Sequence, residues 1–232
     1  MANQTRYLTG PLGKQLRPKV IEFRHLTAMQ EGRPILQKIT LNIFEGEAVA
    51  LLGEARSGKS ALLACMQGLI QPARGEICVL GASLPPLPPE VRRQIGVMPR
   101  HIDLHTGETV AAYLQRFATH QGVQLNTEQI TTYCAHHQLS PFTPVAYLSE
   151  LQKHFFALAL TLVHDPRLVL LDEPLAGLSE RDRAAFWPSL QRTLLEGRTL
   201  VSTFTYPLAE KYLNVYDVIV RLKEGCLFRE KE

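Results

Sequence analysis

The chain has 232 residues, of which 45% are apolar, and its 25 basic and 22 acidic side chains give a formal net charge of +3. This length and apolar content suffice for one large core, or for a core with a smaller attached lobe, rather than for two independent domains. Because the basic residues are scattered and the net charge is small, nucleic-acid binding has no support and no nucleic-acid partner is expected.

The N-terminal segment, residues 1–19, is interpreted as a basic tail, since it carries Arg6, Lys14, Arg17 and Lys19 and no acidic side chain. Both a flexible tail and a segment that contacts an anionic membrane surface fit this composition. The segment has no apolar signal core. The longest uncharged apolar run of the chain, residues 155–163, is under half of the roughly 20 residues that span a bilayer. Membrane contact is therefore expected only through a partner.

The pattern of apolar residues along the chain predicts an α/β fold. Strands are expected at 20–23, 36–43, 48–52, 75–79 and 94–98, and the proline-rich residues 84–89 are interpreted as a stiff surface connection. Helices are expected at 109–120, 127–137 and 149–163, which indicates a helical lobe inserted in the sheet domain. Strands at 168–171, 199–203 and 217–222 then alternate with helices near 180–195 and 207–213. This alternation predicts a mainly parallel sheet covered by helices on both faces.

The segment Gly-Glu-Ala-Arg-Ser-Gly-Lys-Ser at residues 53–60 matches the phosphate-binding pattern G-x-x-x-x-G-K-[ST]. Because it lies between a buried strand and a helix, its backbone N–H groups are expected at a helix N-terminus, where an anion is favoured. Lys59 is expected to reach the outer phosphates and Ser60 to bind Mg²⁺. The alternative is a glycine turn without a ligand. The residues expected to bind nucleotide are Gly53, Glu54, Ala55, Arg56, Ser57, Gly58, Lys59, Ser60 and Ala61.

A second motif, Asp172-Glu173-Pro174, follows the apolar run 168–171. The two carboxylates are thus expected at the carboxyl end of a parallel strand, where α/β sheets bind ligands. Asp172 is the candidate that completes the Mg²⁺ shell with Ser60. Glu173 is the catalytic candidate, because a carboxylate near the water that attacks the terminal phosphate can act as its base. The alternative is an Asp-Glu-Pro turn that only ends the strand.

The order of these motifs resembles that of the nucleotide-binding subunits of ATP-binding cassette (ABC) transporters. Between the phosphate loop and the Asp-Glu pair lie the helical lobe and the sequence Leu-Ser-Glu-Leu-Gln at 148–152. The resemblance extends from about residue 20 to residue 228. The sequences at 162–166 and 176–178 are similar to those of family members. Residues 181–187 and 202–210 are similar to the exporter branch.

The resemblance implies a P-loop NTPase fold over residues 20–232, with antiparallel N-terminal strands and an inserted helical subdomain at about 101–163. It implies ATP and Mg²⁺ as cofactors, and membrane-spanning permease subunits and a second nucleotide-binding subunit as partners. It also places the chain in the cytoplasm, peripheral on the inner face of the cell membrane. In this family two subunits close over two ATP molecules, so Ser149 would contact the ATP bound by the partner subunit.

The resemblance also implies a groove beside the helical lobe that receives a short helix from the permease. The aromatic residues Tyr113, Phe117, Phe155 and Phe156 have helical spacing. They either pack within the lobe or form part of that groove.

The chain departs from the family pattern in its signature, where Glu150 and Leu151 replace the two glycines of Leu-Ser-Gly-Gly-Gln. Side chains at these positions obstruct a close approach to phosphate, and Glu150 adds a negative charge. Ser149 and Gln152 have the spacing of a helix-starting capping box, which is the alternative to a role in binding.

Further departures concern single residues. Arg100 stands where the family has a glutamine that contacts Mg²⁺ and water, and an arginine can do neither. Phe204 is aligned with the switch histidine, Ser179 with an aspartate, and Arg56 with a glycine. The aromatic residue that stacks on adenine aligns near Gln30, with Met29 as a possible substitute.

The sequence therefore predicts an ATP-binding subunit of an ABC transporter of the exporter branch, which couples ATP binding and slow hydrolysis to motion of the membrane subunits. The alternative is a non-hydrolysing nucleotide-binding module that serves as structural or regulatory partner of an active subunit. An unrelated phosphate-loop kinase is a third hypothesis, but it would need an acceptor-binding region.

Overall fold

The computed structural model describes residues 17–102, 104, 107–206 and 210–229. Most of the predicted basic tail lies outside these residues. Within them the chain forms ten strands: β1 (Lys19–Gln30), β2 (Arg33–Phe44), β3 (Ala48–Gly53), β4 (Arg74–Val79), β5 (Ala82–Leu84), β6 (Ile95–Met98), β7 (Leu168–Leu171), β8 (Thr199–Thr205), β9 (Val218–Lys223) and β10 (Cys226–Arg229).

The described residues also form six α-helices and two short 3-10 helices. The α-helices are α1 (Lys59–Met66), α2 (Pro89–Arg92), α3 (Val110–His120), α4 (Thr127–His136), α5 (Glu150–Leu162) and α6 (Glu180–Leu195). The 3-10 helices are Val145–Tyr147 and Glu210–Val215. None of the helices in this part of the chain has the length and apolar composition needed to cross a bilayer.

The strands form two sheets. The N-terminal sheet has the order β2-β1-β4-β5, with every pair antiparallel. The larger sheet has the order β10-β9-β3-β8-β7-β6 and is parallel except for β10, which pairs antiparallel with β9. The predicted α/β fold with a mainly parallel sheet and antiparallel N-terminal strands is confirmed.

The parallel sheet separates two hydrophobic cores. Every residue of β3 and β7 is buried, as expected for strands that are covered on both faces. On one face, Val49 and Leu51 pack with α1 and the antiparallel sheet. On the other face, Ala50 and Leu52 pack with the helices that precede and follow β7. Successive residues of a strand therefore point into different cores. The same alternation determines which side chains at the carboxyl end of a strand lie on a given face of the sheet.

Three α-helices, α3, α4 and α5, lie between β6 and β7 in the chain. Phe155 and Phe156 of α5 are buried, and their rings meet Phe186 and Tyr113 edge to face at centroid distances of 5.4 Å. Of the predicted aromatic set, these residues pack in the core. Phe117 instead lines a surface groove, which is described below.

Short elements account for most differences from the prediction. The proline-rich connection at 84–89 contains the end of β5 and the start of α2, whose first residue is Pro89; proline is well suited to that position because the missing N–H is not needed there. The helix predicted near 207–213 is a 3-10 helix over Glu210–Val215, and residues 207–209 lie outside the described part. β5 and β10 were not predicted, since three or four residues are too few to show an alternating pattern.

The end of α4 contains a buried histidine that makes stability depend on pH. His137 is 6% exposed and packs against Tyr133 at a ring-centroid distance of 4.7 Å. Burial, and then the neighbouring His136 and Arg192, lower the pKa of His137 to about 4. Because the unfolded chain takes up a proton near the ordinary value of 6.5, its protonation favours unfolding as the pH falls below that value.

We expect the free energy of unfolding to be insensitive to His137 above about pH 6.5 and to fall by up to about 3 kcal/mol between pH 6.5 and pH 4. Urea unfolding at a series of pH values measures this loss. A His137→Phe variant keeps an aromatic ring but does not titrate, so its stability should change less over the same window. Identical pH dependence in the two proteins would contradict the assignment.

Candidate functional site

The phosphate-binding segment connects β3 to α1. β3 is wholly buried, and the loop then turns through Glu54, Ala55 and Arg56, which are exposed. α1 begins at Lys59, so the first N–H groups of the helix lie at the end of the loop. The predicted strand, loop and helix are thus consecutive, and the helix terminus provides donors and a partial positive charge for an anion.

Two glycines of the loop are required by close contacts. A Cβ atom on Gly53 would lie 2.4 Å from both Leu222 O and Ser57 Oγ. Gly58 has a φ of +105°, and a Cβ there would lie 2.8 Å from Ile35 O. The fixed glycines of the motif therefore allow the loop to pack against β2 and β9.

Lys59 extends back into the hollow of the loop, where its side chain is only 5% exposed. Its Nζ donates to Gly53 O and Glu54 O, both at 2.9 Å, and to Thr205 Oγ1 at 3.2 Å. It also pairs with Glu173 Oε1 at 3.4 Å. The cation is thereby held at the place where the motif requires it to meet phosphate.

Asp172 and Glu173 follow β7, and Thr203 of the neighbouring strand holds both. Thr203 Oγ1 donates to Asp172 Oδ1 at 2.7 Å and accepts from the backbone N–H of Glu173 at 2.9 Å. Glu173 has a φ of +52°, which is uncommon for a residue with a side chain. A strained backbone of this kind is typical of functional sites. Here it accompanies the contact of the Glu173 carboxylate with Lys59.

Phe204, which aligns with the switch histidine, offers no polar group to the site and packs in the core. Phe204 is 3% exposed, and its ring packs edge to face against Tyr216 at a centroid distance of 5.7 Å. The next residue, Thr205, points to the opposite side, where its hydroxyl donates to Glu173 Oε1 and accepts from Lys59. Because side chains alternate along β8, only one of two neighbouring residues can reach the site.

A cleft of about 520 Å³ opens beside the phosphate loop. Arg100 lines it together with Lys59, Ser60 and Glu173, so an additional cation faces the predicted phosphate position. The cleft is also lined by Gln30, Pro34, Ile35 and Gln37. No aromatic residue and no Met29 are among the described lining residues. The structure thus brings Gln30 to the cleft, as aligned, but does not bring Met29 there as a substitute for a stacking ring.

The oxygen atoms around the cleft suit Mg²⁺, which binds through a few protein oxygens, substrate phosphates and water. Ser60 lines the cleft, and Asp172 is adjacent to Glu173 with Oδ1 bonded to Thr203. Ser57 Oγ is buried and has no hydrogen-bond partner among the described residues, so it can form a hydrogen bond with a phosphate bound in the loop. In the same residues, no group of three or more His, Cys, Asp or Glu side chains could hold a metal.

The signature-like segment forms a helix cap. Ser149 precedes α5, and its Oγ accepts from Gln152 N at 3.3 Å, while Gln152 Oε1 accepts from Ser149 N at 3.0 Å. The capping box that the spacing suggested is thus formed. Glu150 is exposed and pairs with Lys153 at 2.7 Å. Ser149 is not among the residues that line the cleft at Lys59.

The segment after Glu173 is joined to α5 by His154. The ring nitrogens of this buried histidine lie 2.8 Å from Glu150 O and 3.1 Å from Ala176 O. Ser179, where the family has an aspartate, caps α6 by accepting from Asp182 N at 3.2 Å. Glu150 and Ser179, which both depart from the family pattern, therefore both lie at the N-terminal end of a helix.

A second depression, of about 400 Å³, lies between α2, α3 and α5. Its apolar lining includes Leu69, which is 64% exposed, and Phe117. No acidic side chain is among the described residues that line it. We call this depression the lobe groove; its basic residues are Arg92, Arg93, His120 and His164.

With this geometry established, comparison with known proteins identifies the family. The profile described as ABC transporter matches residues 36–176. The chain belongs to the ABC transporter family. The match includes the phosphate loop, the Asp-Glu pair and the capped start of α5.

Relatives and solved structures agree with this assignment. The chain is 30% identical over 205 residues to Nod factor export ATP-binding protein I of Rhizobium meliloti, covering 84% of this chain and 61% of that protein. It is 29% identical over 200 residues to the protein of the same name in Bradyrhizobium diazoefficiens, covering 84% of this chain and 65% of that protein. The chain thus spans less than two thirds of the length of these curated relatives.

Among solved structures, the fold is similar to the dimeric post-hydrolysis state of the ATP-binding cassette MJ0796 bound to ADP and Pi. The TM-score is 0.77 at 22% identity, with 91% of this chain and 98% of that chain covered. It is also similar to cbiO1 from Clostridium perfringens, described as part of the ABC transporter complex cbiONQ. That TM-score is 0.78 at 24% identity, with 90% of this chain and 87% of that chain covered. The P-loop NTPase fold that the resemblance implied is confirmed.

Sequence reasoning missed Thr205 and Thr203 as residues of the site. The signal was the period-two pattern of β8, in which residues 203 and 205 share one face and residue 204 lies on the other. In a strand, a shift of one residue reverses the face to which a side chain points, so the motif position at 204 did not indicate the neighbouring threonines.

The orientation of Phe204 leads to a prediction about stability. Replacing it with leucine removes part of the edge contact with Tyr216 and should lower the free energy of unfolding by about 1–2 kcal/mol. Because the ring does not face the cleft, affinity for a fluorescent ATP analogue should be unchanged. Denaturant unfolding and a binding titration measure the two effects. Weaker nucleotide binding by a folded Phe204→Leu protein would contradict the assignment.

Proposed function

We propose that the chain is the ATP-binding subunit of an ABC exporter and that it hydrolyses ATP slowly, with Glu173 as the base. One observation carries this proposal. A single cleft is lined by the phosphate loop with Lys59 and Ser60, and by the carboxylate of Glu173, which follows β7 of the same sheet. Members of this family generally hydrolyse ATP, and this geometry supports the same reaction here.

Nucleotide binding follows from the loop itself. The N–H groups at the start of α1 donate to phosphate oxygens, and Lys59 contributes a nearly buried cation. Arg100, which lines the same cleft, adds a second cation. With Mg²⁺ bound by Ser60 and Asp172, the ion would neutralise phosphate charge. Gln30 and Gln37 line the same cleft, and their side-chain amides can donate hydrogen bonds to the adenine of the nucleotide.

Hydrolysis requires a water oxygen to bond to the terminal phosphorus while the bond to the bridging oxygen breaks and ADP takes the electron pair. The proton of the water passes to Glu173, whose Oε1 is already engaged by Thr205 and Lys59. Its second carboxylate oxygen is then the one available to the water. Lys59 offsets the negative charge that develops on the phosphate oxygens.

The second candidate function, a non-hydrolysing nucleotide-binding partner of an active subunit, is favoured by the start of α5. Ser149 is engaged in its own helix cap, and Glu150 presents a carboxylate there. Both features disfavour contact with the phosphates of an ATP held by a second subunit. This candidate keeps the same nucleotide cleft and differs only in turnover.

Membrane-spanning permease subunits are the proposed partners, which would place the chain at the cytoplasmic face of the membrane. A second nucleotide-binding subunit is proposed to complete the assembly. The name of the Rhizobium meliloti relative describes an export protein, which supports the exporter assignment. The lobe groove is the proposed docking site for the permease helix. Its apolar lining and its excess of basic residues fit a helix that presents apolar and acidic side chains.

Mg-ATP turnover by the purified chain tests the proposal. We expect Glu173→Gln to lower turnover by about 10²- to 10³-fold while leaving ATP affinity largely intact. Lys59→Ala should abolish ATP binding in a titration with a fluorescent analogue. Phosphate release measures turnover, and thermal unfolding shows whether each variant is folded.

Turnover that equals that of Glu173→Gln, with ATP binding retained, would refute hydrolysis by the isolated chain and support the non-hydrolysing candidate. Unchanged ATP affinity in Lys59→Ala would refute the phosphate-loop assignment itself.

The docking proposal predicts a charge effect. Arg93→Glu places an acid in the lobe groove and should reduce co-purification of the tagged chain with a co-expressed permease, because it repels an acidic partner helix. The intrinsic turnover of the isolated chain should not change. Arg74→Glu is the matched control, since Arg74 is exposed on the antiparallel sheet away from the groove. Equal losses of co-purification in both variants would contradict a specific docking site.

A further inference from the structure

We propose that Thr205 is a positioning residue for the hydrolytic reaction, which holds the carboxylate of Glu173 and the ammonium of Lys59 in one fixed arrangement. This inference rests on the proposed function. No motif in the sequence assigned a role to Thr205.

The hydroxyl of Thr205 contacts both charged groups. Oγ1 donates to Glu173 Oε1 and lies 3.2 Å from Lys59 Nζ, from which it accepts. A hydroxyl has one proton and two lone pairs, so it can do both at once. The direct distance between Lys59 Nζ and Glu173 Oε1 is 3.4 Å. The three groups therefore form a closed triangle in which each contacts the other two.

The position of Thr205 is fixed by the sheet rather than by a flexible loop. β8 lies between β3 and β7, and its last residue pairs with Gly53, the first residue of the phosphate loop. The neighbouring strand β7 leads directly into Asp172 and Glu173. Any side chain on this face at position 205 is consequently directed between the loop lysine and the carboxylate. A site built on strands is held more precisely than one built on loops.

Thr203 and Thr205 together fix Glu173 at two points. Thr203 accepts from the backbone N–H of Glu173, and Thr205 donates to its carboxylate. The two threonines are two residues apart on one strand, so they lie on the same face. With Oε1 held in this way, the free rotation of the carboxylate is lost and Oε2 has a defined direction. Such preorganisation is what a base needs to accept a proton from a positioned water.

The decisive experiment compares Thr205→Val with Thr205→Ser. Valine has nearly the same shape but no hydroxyl, so kcat for ATP hydrolysis should fall by about 10- to 100-fold, the range found when a group that orients a reactive ligand is removed. The KM for Mg-ATP should stay within about threefold, because the phosphate loop is unchanged. Serine keeps the hydroxyl and should restore most of kcat. A structural role alone would not produce this split between kcat and KM.

A double-mutant cycle with Glu173→Gln shows whether Thr205 acts through Glu173. In the Glu173→Gln background, Thr205→Val should cause no further loss of turnover, since the group that it positions is already disabled. Thr199→Val is the matched control. Thr199 is on the same strand, and its hydroxyl accepts from Gly46 N at 3.0 Å, far along β8 from the cleft. The Thr199→Val substitution should change the stability of the protein but not kcat.

The outcomes separate the two proposals. If the wild-type chain turns over ATP faster than Glu173→Gln and Thr205→Val equals the wild type, the role of Thr205 is overturned while hydrolysis stands. The same conclusion follows if Thr205→Ser is as slow as Thr205→Val, or if the losses from positions 173 and 205 simply add. If the wild type is no faster than Glu173→Gln, hydrolysis is refuted and the positioning role with it.

Discussion

The nearly buried pair of Lys59 and Glu173 is the constraint on which the site depends. Their side chains are 5% and 10% exposed, and a charge at that depth is costly unless it is paired and hydrogen-bonded. The carbonyl oxygens of Gly53 and Glu54 and the hydroxyl of Thr205 complete the shell of Lys59. Removing either charge would leave the other uncompensated. Functional residues therefore also stabilise the loop, and a variant at either position needs a separate measurement of folding.

The pair can form because three parallel strands end at the same edge. β3 leads into the loop, β7 leads into Glu173, and β8 between them supplies threonines. β3 and β7 contain no polar side chain, so the polar groups that they position follow at their carboxyl ends, where α/β sheets bind ligands. The register Gly53↔Thr205 then determines which hydroxyl contacts Lys59 and Glu173.

Much of this arrangement could be predicted from the sequence, because long apolar runs and the loop motif are local signals. The strands that carry the site and the capping box at Ser149 were read from spacing alone. The side of β8 that contacts Lys59 and Glu173 could not be read from a motif, since a shift of one residue exchanges Phe204 for Thr205. That decision depends on pairing with β3, which is a tertiary property. Short elements such as β5 and α2 were missed for lack of periodicity.

The start of α5 shows a competition between helix stability and anion binding. A helix N-terminus offers the same N–H groups and the same dipole to its own cap and to an external phosphate. Here Ser149 and Gln152 satisfy each other, and Glu150 places a negative charge at the positive end of the helix. The cap stabilises α5 by about 1 kcal/mol. A phosphate that approached this end of the helix would have to displace the side chains of Ser149 and Glu150. His154 joins this helix to Ala176, three residues after Glu173, so the same segment that carries the base is packed against the start of the helix. The chain therefore combines a well-formed phosphate loop and a proposed base with a helix N-terminus that is capped by its own side chains. This difference favours nucleotide binding in the cleft at Lys59 over contact of α5 with a nucleotide held by a second subunit.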